Sequence, residues 1–166
     1  MKKNLIIFVM ALMSFTAASA QFDQGTWFFN ASMKGLDFNH DKQNGNTFRF
    51  DAGAGNFIAD NFAVKVDFGA DLTKYYDQYN LGTQARYYYS SCGIYTGLGL
   101  SYGYRSLDIA GLKDTVHLMF LSPEVGYAFY LSHYLTVEPA VYYNICTNKF
   151  DECSNFGFKI GFGYYF

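Results

Sequence analysis

The chain has 166 residues, of which 51% are hydrophobic, 21% aromatic and only 16% charged, with a formal net charge of −2. This length fits one domain, and the absence of any basic patch or run argues against a nucleic-acid partner. The mean hydropathy of −0.04 means that apolar residues are interleaved with polar ones. The many Phe, Tyr and Gly residues, with only two Pro, favour a β-rich protein.

The first predicted element is an export signal over residues 1–20, MKKNLIIFVMALMSFTAASA. Lys2 and Lys3 supply the positive start, a short apolar core follows, and Ala18-Ser19-Ala20 matches an A-x-A cleavage pattern. An uncleaved membrane anchor is disfavoured because the apolar run is too short to span a bilayer well. We therefore predict cleavage after Ala20, which leaves a single mature domain over residues 21–166.

Beyond the signal, the sequence alternates between apolar and small or polar residues with period 2, and no window repeats with helical spacing. In FAVKVDFGADL, for example, Phe62, Val64 and Val66 share one face, and Lys65 and Asp67 share the other. The sixth strand is the least regular, because VHLMF does not continue its register, so we expect a bulge there. Eight strands are predicted at 25–34, 47–57, 62–72, 80–90, 94–105, 115–129, 135–146 and 155–166.

The predicted connections alternate in length. Those after strands two, four and six are short: IADN, SSCG and the residues around Ser132-His133. Those after strands one, three, five and seven are longer and polar: GLDFNHDKQNGN, TKYYDQY, SLDIAGLKD and TNKFDECS. Short turns at one end and long loops at the other are typical of an up-and-down antiparallel barrel.

The apolar face is too bulky for the inside of this barrel. An eight-stranded barrel has an interior just wide enough for its side chains, whereas about five large residues per strand occupy the apolar face. The opposite face is rich in Gly, Ala and Ser, with scattered charges and a few Tyr, which fits a narrow lumen. The sequence therefore predicts an all-β, eight-stranded antiparallel transmembrane barrel with its aromatic face towards lipid. We expect Tyr and Trp near the strand ends to form interfacial girdles.

These features resemble a known family. The signal peptide, the eight alternating strands and the terminal Phe166 are similar to the small OmpA/OmpX-like outer-membrane barrels. The segments GNFIADNFAVKVDFG and LSPEVGYAFYLSHYLTVEP resemble hairpins of porin-family, outer-membrane β-barrel domain proteins. The resemblance implies the outer membrane of a Gram-negative bacterium, outer-membrane lipids as partners, and insertion by the barrel assembly machinery. That machinery reads a final strand ending in an aromatic residue, so the resemblance implies an assembly signal at Ile160, Phe162, Tyr164 and Phe166.

The predicted lumen is charged, with both signs present. Because an unpaired buried charge is costly, we expect these side chains to form salt bridges with one another. A salt-bridged plug then rigidifies the barrel; the alternative is a gate whose pairs exchange to open a small channel. The predicted lumen charge network is Arg49, Asp51, Lys65, Asp67, Arg86, Glu124, Glu138 and Lys159, with Lys34 and Asp71 on the same face.

An enzyme that modifies lipid A is a further alternative. A deacylase needs Ser, His and a carboxylate within hydrogen-bond reach, and Ser132-His133 with Glu124 or Glu138 is the only local candidate. Neighbours in sequence rarely face each other in such a triad, and His117 has no evident Ser and carboxylate pair. We therefore predict a non-enzymatic protein without a cofactor, with a structural or interaction role through its extracellular loops, whose ligand is unknown.

The remaining motifs are weak. Cys146 and Cys153 flank TNKFDE and could form a disulfide or remain two thiols, and Cys92 would stay single. The stretch at 37–41 begins like an EF-hand calcium loop, but Lys42 replaces the required glycine. We predict no metal site.

Overall fold

In the computed structural model, the described part of the chain comprises residues 22–36, 48–72, 76–89, 93–109, 112–148 and 154–166. Within these ranges only the backbone is described at 34–36, 48–49, 72, 76, 107–109 and 112–114. The signal segment 1–20 lies outside them. The described ranges contain no helix long and apolar enough to cross a membrane.

The described residues form nine strands, eight long and one very short. Their extended conformation follows from the period-2 pattern, which places apolar and small residues on opposite faces of each strand. The strands are β1 (Trp27–Leu36), β2 (Phe48–Ala59), β3 (Phe62–Leu72), β4 (Tyr76–Tyr88), β5 (Ile94–Ile109), β6 (Leu112–Tyr127), β7 (Phe129–Tyr130), β8 (Leu135–Cys146) and β9 (Asn155–Tyr165).

The eight long strands close into an antiparallel barrel, which confirms the predicted fold class. Each long strand pairs with the next, β6 also pairs with β8, and β9 pairs with β1. The two-residue β7 continues the line of β6 after Ala128 and pairs with β8. At the seam, the backbone N–H of Trp27 donates to the carbonyl of Phe166, and the N–H of Phe166 donates to that of Trp27, both at 2.8 Å. The last residue of the chain is therefore part of the barrel wall.

The expected bulge in VHLMF is wrong. Pairing between β5 and β6 keeps one register from Ile94–Tyr127 to Ile109–Leu112. The alternation only looked irregular because Leu118 and Phe120 are apolar residues on the inward face, where both are buried. Register shifts occur instead between Lys34 and Leu36 against β9, and between Phe57 and Ala59 against β3.

Two of the connections expected to be long are short. β5 and β6 extend to Ile109 and Leu112 and pair there, so only residues 110–111 separate them. β4 begins at Tyr76, so the connection after β3 is reduced to 73–75. The β-prone Tyr, Leu and Ile residues in these stretches extend the strands.

The barrel has two distinct ends. At one, which we call the turn end, β2 turns into β3 through Asp60 and Asn61, and Asn61 has a φ of 64°. Asn tolerates this left-handed conformation better than most residues, and tight hairpins need it. Both termini of the described barrel also lie here. The opposite end, which we call the loop end, carries the connections within 37–47, 73–75, 110–111 and 149–153.

The outer face is apolar and the charged residues lie inside, as predicted, although large side chains such as Phe57 and Tyr95 also fill the lumen. The apolar face points outward: Leu100 is 60% exposed and Phe29 57% exposed. The charged and small-residue face points inward: Arg86 and Glu138 are each 1% exposed. The core of this protein is therefore the polar and aromatic filling of the barrel, and its outer wall is apolar.

Candidate functional site: the filled lumen

Four charged side chains from four strands meet inside the barrel, and we call them the lumen ion cluster: Arg86 on β4, Glu124 on β6, Glu138 on β8 and Lys159 on β9. Glycine makes the meeting possible. Gly97 of β5 lies in register between Arg86 and Glu124, so no side chain separates them. A Cβ on Gly97 would approach the Arg86 side chain to 3.4 Å.

Arg86 is the centre of the cluster. Its Nη2 donates to Glu124 Oε1 at 3.0 Å and its Nη1 to Glu138 Oε2 at 2.9 Å. Its Nε donates to Gln84 Oε1 at 3.0 Å, and the guanidinium lies 4.5 Å from the ring centre of Tyr95. One buried cation thus links two carboxylates that are far apart in sequence.

Both carboxylates are fully engaged. Glu124 also accepts from Lys159 Nζ at 2.5 Å, from Gln84 Nε2 at 2.9 Å and from the Tyr95 hydroxyl at 3.0 Å. Glu138 also accepts from Asn30 at 3.0 Å, from Thr136 at 2.9 Å and from Tyr165 at 2.6 Å. Because the cluster holds two positive and two negative side chains, it is formally neutral, and a partner offsets the burial cost of each charge.

An aromatic layer fills the turn end below the cluster, and we call it the turn-end plug. Phe22, which precedes β1, is 3% exposed and stacks on Tyr88 with ring centres 4.5 Å apart. Its carbonyl accepts from the N–H of Asn61 at 2.7 Å, which ties the N-terminal segment to the β2–β3 turn. The plug consists of Phe22, Phe28, Phe57, Tyr88, Tyr95 and Tyr165.

A polar cavity of about 110 Å³ lies above the cluster, towards the loop end. Glu124 and Lys159 form part of its lining. Lys65, which is buried, donates to Asp67 Oδ1 at 2.7 Å, and both line the cavity. Its polar walls are suited to hold ordered water. Further lining residues include Asp51, Asp71, Gln78, Asn80, Ser122 and Asn144.

The predicted lumen charges thus fall into two groups. Arg86, Glu124, Glu138 and Lys159 form one connected cluster, whereas Lys65, Asp67 and Asp51 lie beside the cavity. Arg49 is described by its backbone, which pairs with Asp71 and Lys34. Sequence reasoning missed the uncharged partners of the cluster. Asn30, Gln84 and Thr136 occupy inward positions of the alternation, which was the available signal.

The other predicted sites lie elsewhere. Ile160, Phe162, Tyr164 and Phe166 all point outward and are exposed. Cys146 is buried and carries no disulfide among the described residues. Cys153, Cys92 and the calcium-like stretch at 37–41 lie outside those residues, so the disulfide stays a prediction.

The structure does not assemble the hypothetical hydrolase triad. Ser132 Oγ accepts from the backbone N–H groups of Tyr134 and Leu135, at 3.3 and 3.2 Å, and so caps an exposed turn. His133 is exposed on the same turn, while Glu124 and Glu138 are engaged inside the barrel. Within the described ranges no group of three or more His, Cys, Asp or Glu residues could hold a metal ion.

The fold belongs to a class that is well represented among solved structures: small eight-stranded barrels of bacterial outer membranes. The N-terminal barrel domain of Pseudomonas aeruginosa OprF matches with a TM-score of 0.71 at 13% identity, covering 86% of this chain and 98% of that one. Neisserial surface protein A matches with a TM-score of 0.60 at 18% identity, covering 85% and 96%. Ail of Yersinia pestis, solved in a phospholipid nanodisc, matches with a TM-score of 0.59 at 13% identity, covering 86% and 100%.

Another structure of Ail, in complex with the heparin analogue sucrose octasulfate, matches with a TM-score of 0.52 at 15% identity, covering 86% of this chain and 97% of that one. At these identities the comparisons establish the architecture alone. No protein-family model and no curated protein sequence matches the chain.

Proposed function

We propose that this protein is an integral outer-membrane barrel of a Gram-negative bacterium, exported by a signal peptide at residues 1–20 that is then cleaved. It has a structural or interaction role and performs no catalysis. The observation that carries the proposal is the inverted arrangement of its side chains. Large apolar residues cover the outer wall, and only lipid tolerates so much exposed apolar surface.

The dimensions support a membrane location. The shortest of the eight long strands, β1, has 10 residues, which at ~3.3 Å each and a tilt of ~45° cover roughly 23 Å, close to the ~25 Å lipid-facing band of outer-membrane barrels. Closure also leaves no unpaired strand edge in the hydrocarbon. In this proposal the turn end faces the periplasm and the loop end faces outward.

The filled lumen supports a non-conducting scaffold. The turn-end plug fills one end of the barrel. Above the plug, the four charged side chains of the lumen ion cluster pair with one another. Interaction with partners then falls to the loop end. Ail, which shares this fold, is known in complex with a heparin analogue, and this supports testing the loop end of the present protein as a ligand surface.

We also propose that the barrel assembly machinery reads the outward residues Ile160, Phe162, Tyr164 and Phe166. Their side chains lie on the outer wall, where a recognition factor can reach them before lipid covers the strand. This role rests on the resemblance to outer-membrane barrels.

Gel migration tests the membrane-barrel proposal. The protein is expressed with its signal, the outer-membrane fraction is extracted with detergent, and samples are run with and without boiling. We expect a folded band that shifts on boiling, and a mature N-terminus at Gln21 by mass spectrometry. Protein that stays soluble without detergent would refute the membrane location.

A small gated pore is the second candidate, because Glu124 is shared by two cations. Both Arg86 and Lys159 bind it, so one pair could be exchanged for the other without leaving a bare charge. Single-channel recordings on wild-type protein and on Glu138→Ala distinguish the two functions. The scaffold proposal predicts no conductance from either protein, whereas openings that increase in the variant would favour the gate.

Catalysis on lipid A is tested separately by mass spectrometry. Lipid A from cells with and without the protein should have the same acyl pattern. An altered pattern that persists in Ser132→Ala would point to an enzyme with other residues, and one that disappears would restore the triad hypothesis. Either result would overturn the non-enzymatic proposal.

A further inference from the structure

The outward faces of β5 and β6 change character near the loop end. From the turn end upward, the outward residues of β5 run from Ile94 through Leu98 and Leu100 to Tyr104, and Ser106 follows. On β6, His117 is the first acidic or basic side chain met on this face among the described residues. An ionisable side chain on an otherwise apolar wall calls for a polar partner.

Two tyrosines hold His117 in place. The Tyr102 hydroxyl and His117 Nδ1 are 2.5 Å apart, with the rings stacked at 5.7 Å. Tyr104, directly opposite His117 in the ladder, packs edge-on with ring centres 5.9 Å apart. All three side chains are exposed on the outer wall.

The contact between Tyr102 and Nδ1 leaves the other imidazole nitrogen of His117, Nε2, available for a second hydrogen bond. When the Tyr102 hydroxyl donates to Nδ1, the neutral ring carries its proton on Nε2; in the imidazolium form both nitrogens carry protons. In both forms Nε2–H is a hydrogen-bond donor. Among the described residues, Tyr102 is the hydrogen-bond partner of His117, and the exposed Nε2–H is free to donate to a group outside the barrel.

The height of this group identifies that partner. From Ile94 to Tyr104, ten residue steps on a strand tilted by ~45° rise about 23 Å. His117, opposite Tyr104, therefore lies about one lipid-band height above the turn end. Tyr rings are enriched at this interface, where the acceptors are lipid headgroups, and phosphate is their strong anionic acceptor.

We propose that His117, held by Tyr102 and flanked by Tyr104, is a binding site for the phosphate group of a lipid headgroup in the leaflet at the loop end. The imidazole donates from Nε2 to a phosphate oxygen, and Tyr102 fixes the ring that makes the donation. The inference rests on the proposed membrane location.

Solid-state NMR tests it directly. Protein with ¹⁵N-labelled histidine is placed in nanodiscs of phosphatidylglycerol, and ¹⁵N–³¹P dipolar couplings are measured. The chain has three histidines, and the His117→Phe variant identifies the signal of His117. We expect a coupling at its Nε2 that is lost in His117→Phe and weakened in Tyr102→Phe. Tyr143→Phe, a change at another exposed tyrosine of the outer wall, should leave it unchanged.

Two further arms separate the sources of failure. In nanodiscs of a phosphate-free galactolipid with added inorganic phosphate, we expect no coupling; an equal coupling there would mean a site for free phosphate and would overturn the lipid assignment. A barrel that folds in phosphatidylglycerol discs without a coupling at His117 overturns this inference alone. A protein that does not enter the discs overturns the membrane proposal and this inference together.

Discussion

Replacing Arg86 by Met should destabilise the barrel strongly, because Arg86 is the shared partner of both buried glutamates. Its side chain is 1% exposed and donates to Glu124 and Glu138 at 3.0 and 2.9 Å. Without it, Glu124 keeps its ion pair with Lys159, whereas Glu138 keeps only neutral donors. Removing one partner of a buried ion pair typically costs about 3–5 kcal/mol, and we expect the free energy of unfolding to fall by about that amount.

A compensating change tests the electrostatic origin of this loss. Glu138→Gln by itself leaves an excess positive charge in the lumen ion cluster, whereas Arg86→Met with Glu138→Gln restores a neutral cluster that retains the pair of Glu124 and Lys159. The double variant should therefore lose less stability than the two single variants added together. The difference should lie in the range of about 0.5–3 kcal/mol that contacting residues show.

The assay is urea unfolding in lipid vesicles, followed by the fluorescence of Trp27. It is the only tryptophan in the chain and lies exposed on the outer wall, so its emission changes when the wall leaves the lipid. At each urea concentration, boiled and unboiled samples run on a gel give the fraction of protein that is still folded. If Arg86→Met stays within about 1 kcal/mol of wild type, or if the single losses simply add, the account of the lumen ion cluster is wrong.

Three further predictions use the same assays. Phe22→Ala should cost about 3–5 kcal/mol, because it leaves a cavity in the turn-end plug; Phe156→Ala, on the outer wall, should cost less, and equal losses would argue against the plug. Gly126→Ala should cost about 1–3 kcal/mol by overpacking, because the new Cβ would lie 2.4 Å from the ring of Tyr95. Gly99→Ala should be near neutral, because its nearest neighbours are 3.6 Å away; equal losses of stability for the two variants would contradict this packing. Phe166→Ser should lower the amount of heat-shifting barrel in the outer membrane more than Phe156→Ser does, and equal yields would exclude an assembly role for the last residue.

The sequence was sufficient to predict the wall of this barrel. Period-2 alternation and the volume of the apolar face determine which residues point outward, and both can be read from the strand that contains Val64 and Lys65. Hairpin ends were less predictable. Ile109 and Leu112 lie in a stretch that has loop-like composition, yet their backbones pair as strand in the register that the rest of β5 and β6 sets.

The site was only half predictable. The alternation placed Arg86 and Glu124 inside, but their contact depends on the side-chain-free Gly97 between them and on the register of three strands. The same alternation placed Tyr95 and Tyr165 on the inward face, but their hydrogen bonds to Glu124 and Glu138 could not be predicted from it, because these bonds depend on how the strands are arranged around the lumen. Phe22 was invisible for another reason: its burial depends on the turn end of the folded barrel, which no local pattern encodes.

The claim that the outer wall faces lipid can be tested at a single depth in the membrane. Leu100 points outward and Phe120 inward, and their strands place them at nearly the same height, since Phe120 pairs with Ser101. A single tryptophan is placed at one of the two positions, by Leu100→Trp or by Phe120→Trp in a Trp27→Phe background. The protein is inserted into vesicles whose lipids carry bromine on the acyl chains, and the bromine quenches the fluorescence of any indole that contacts it. We expect strong quenching for Leu100→Trp and little for Phe120→Trp. Equal quenching, or stronger quenching of the Phe120→Trp protein, would contradict the account.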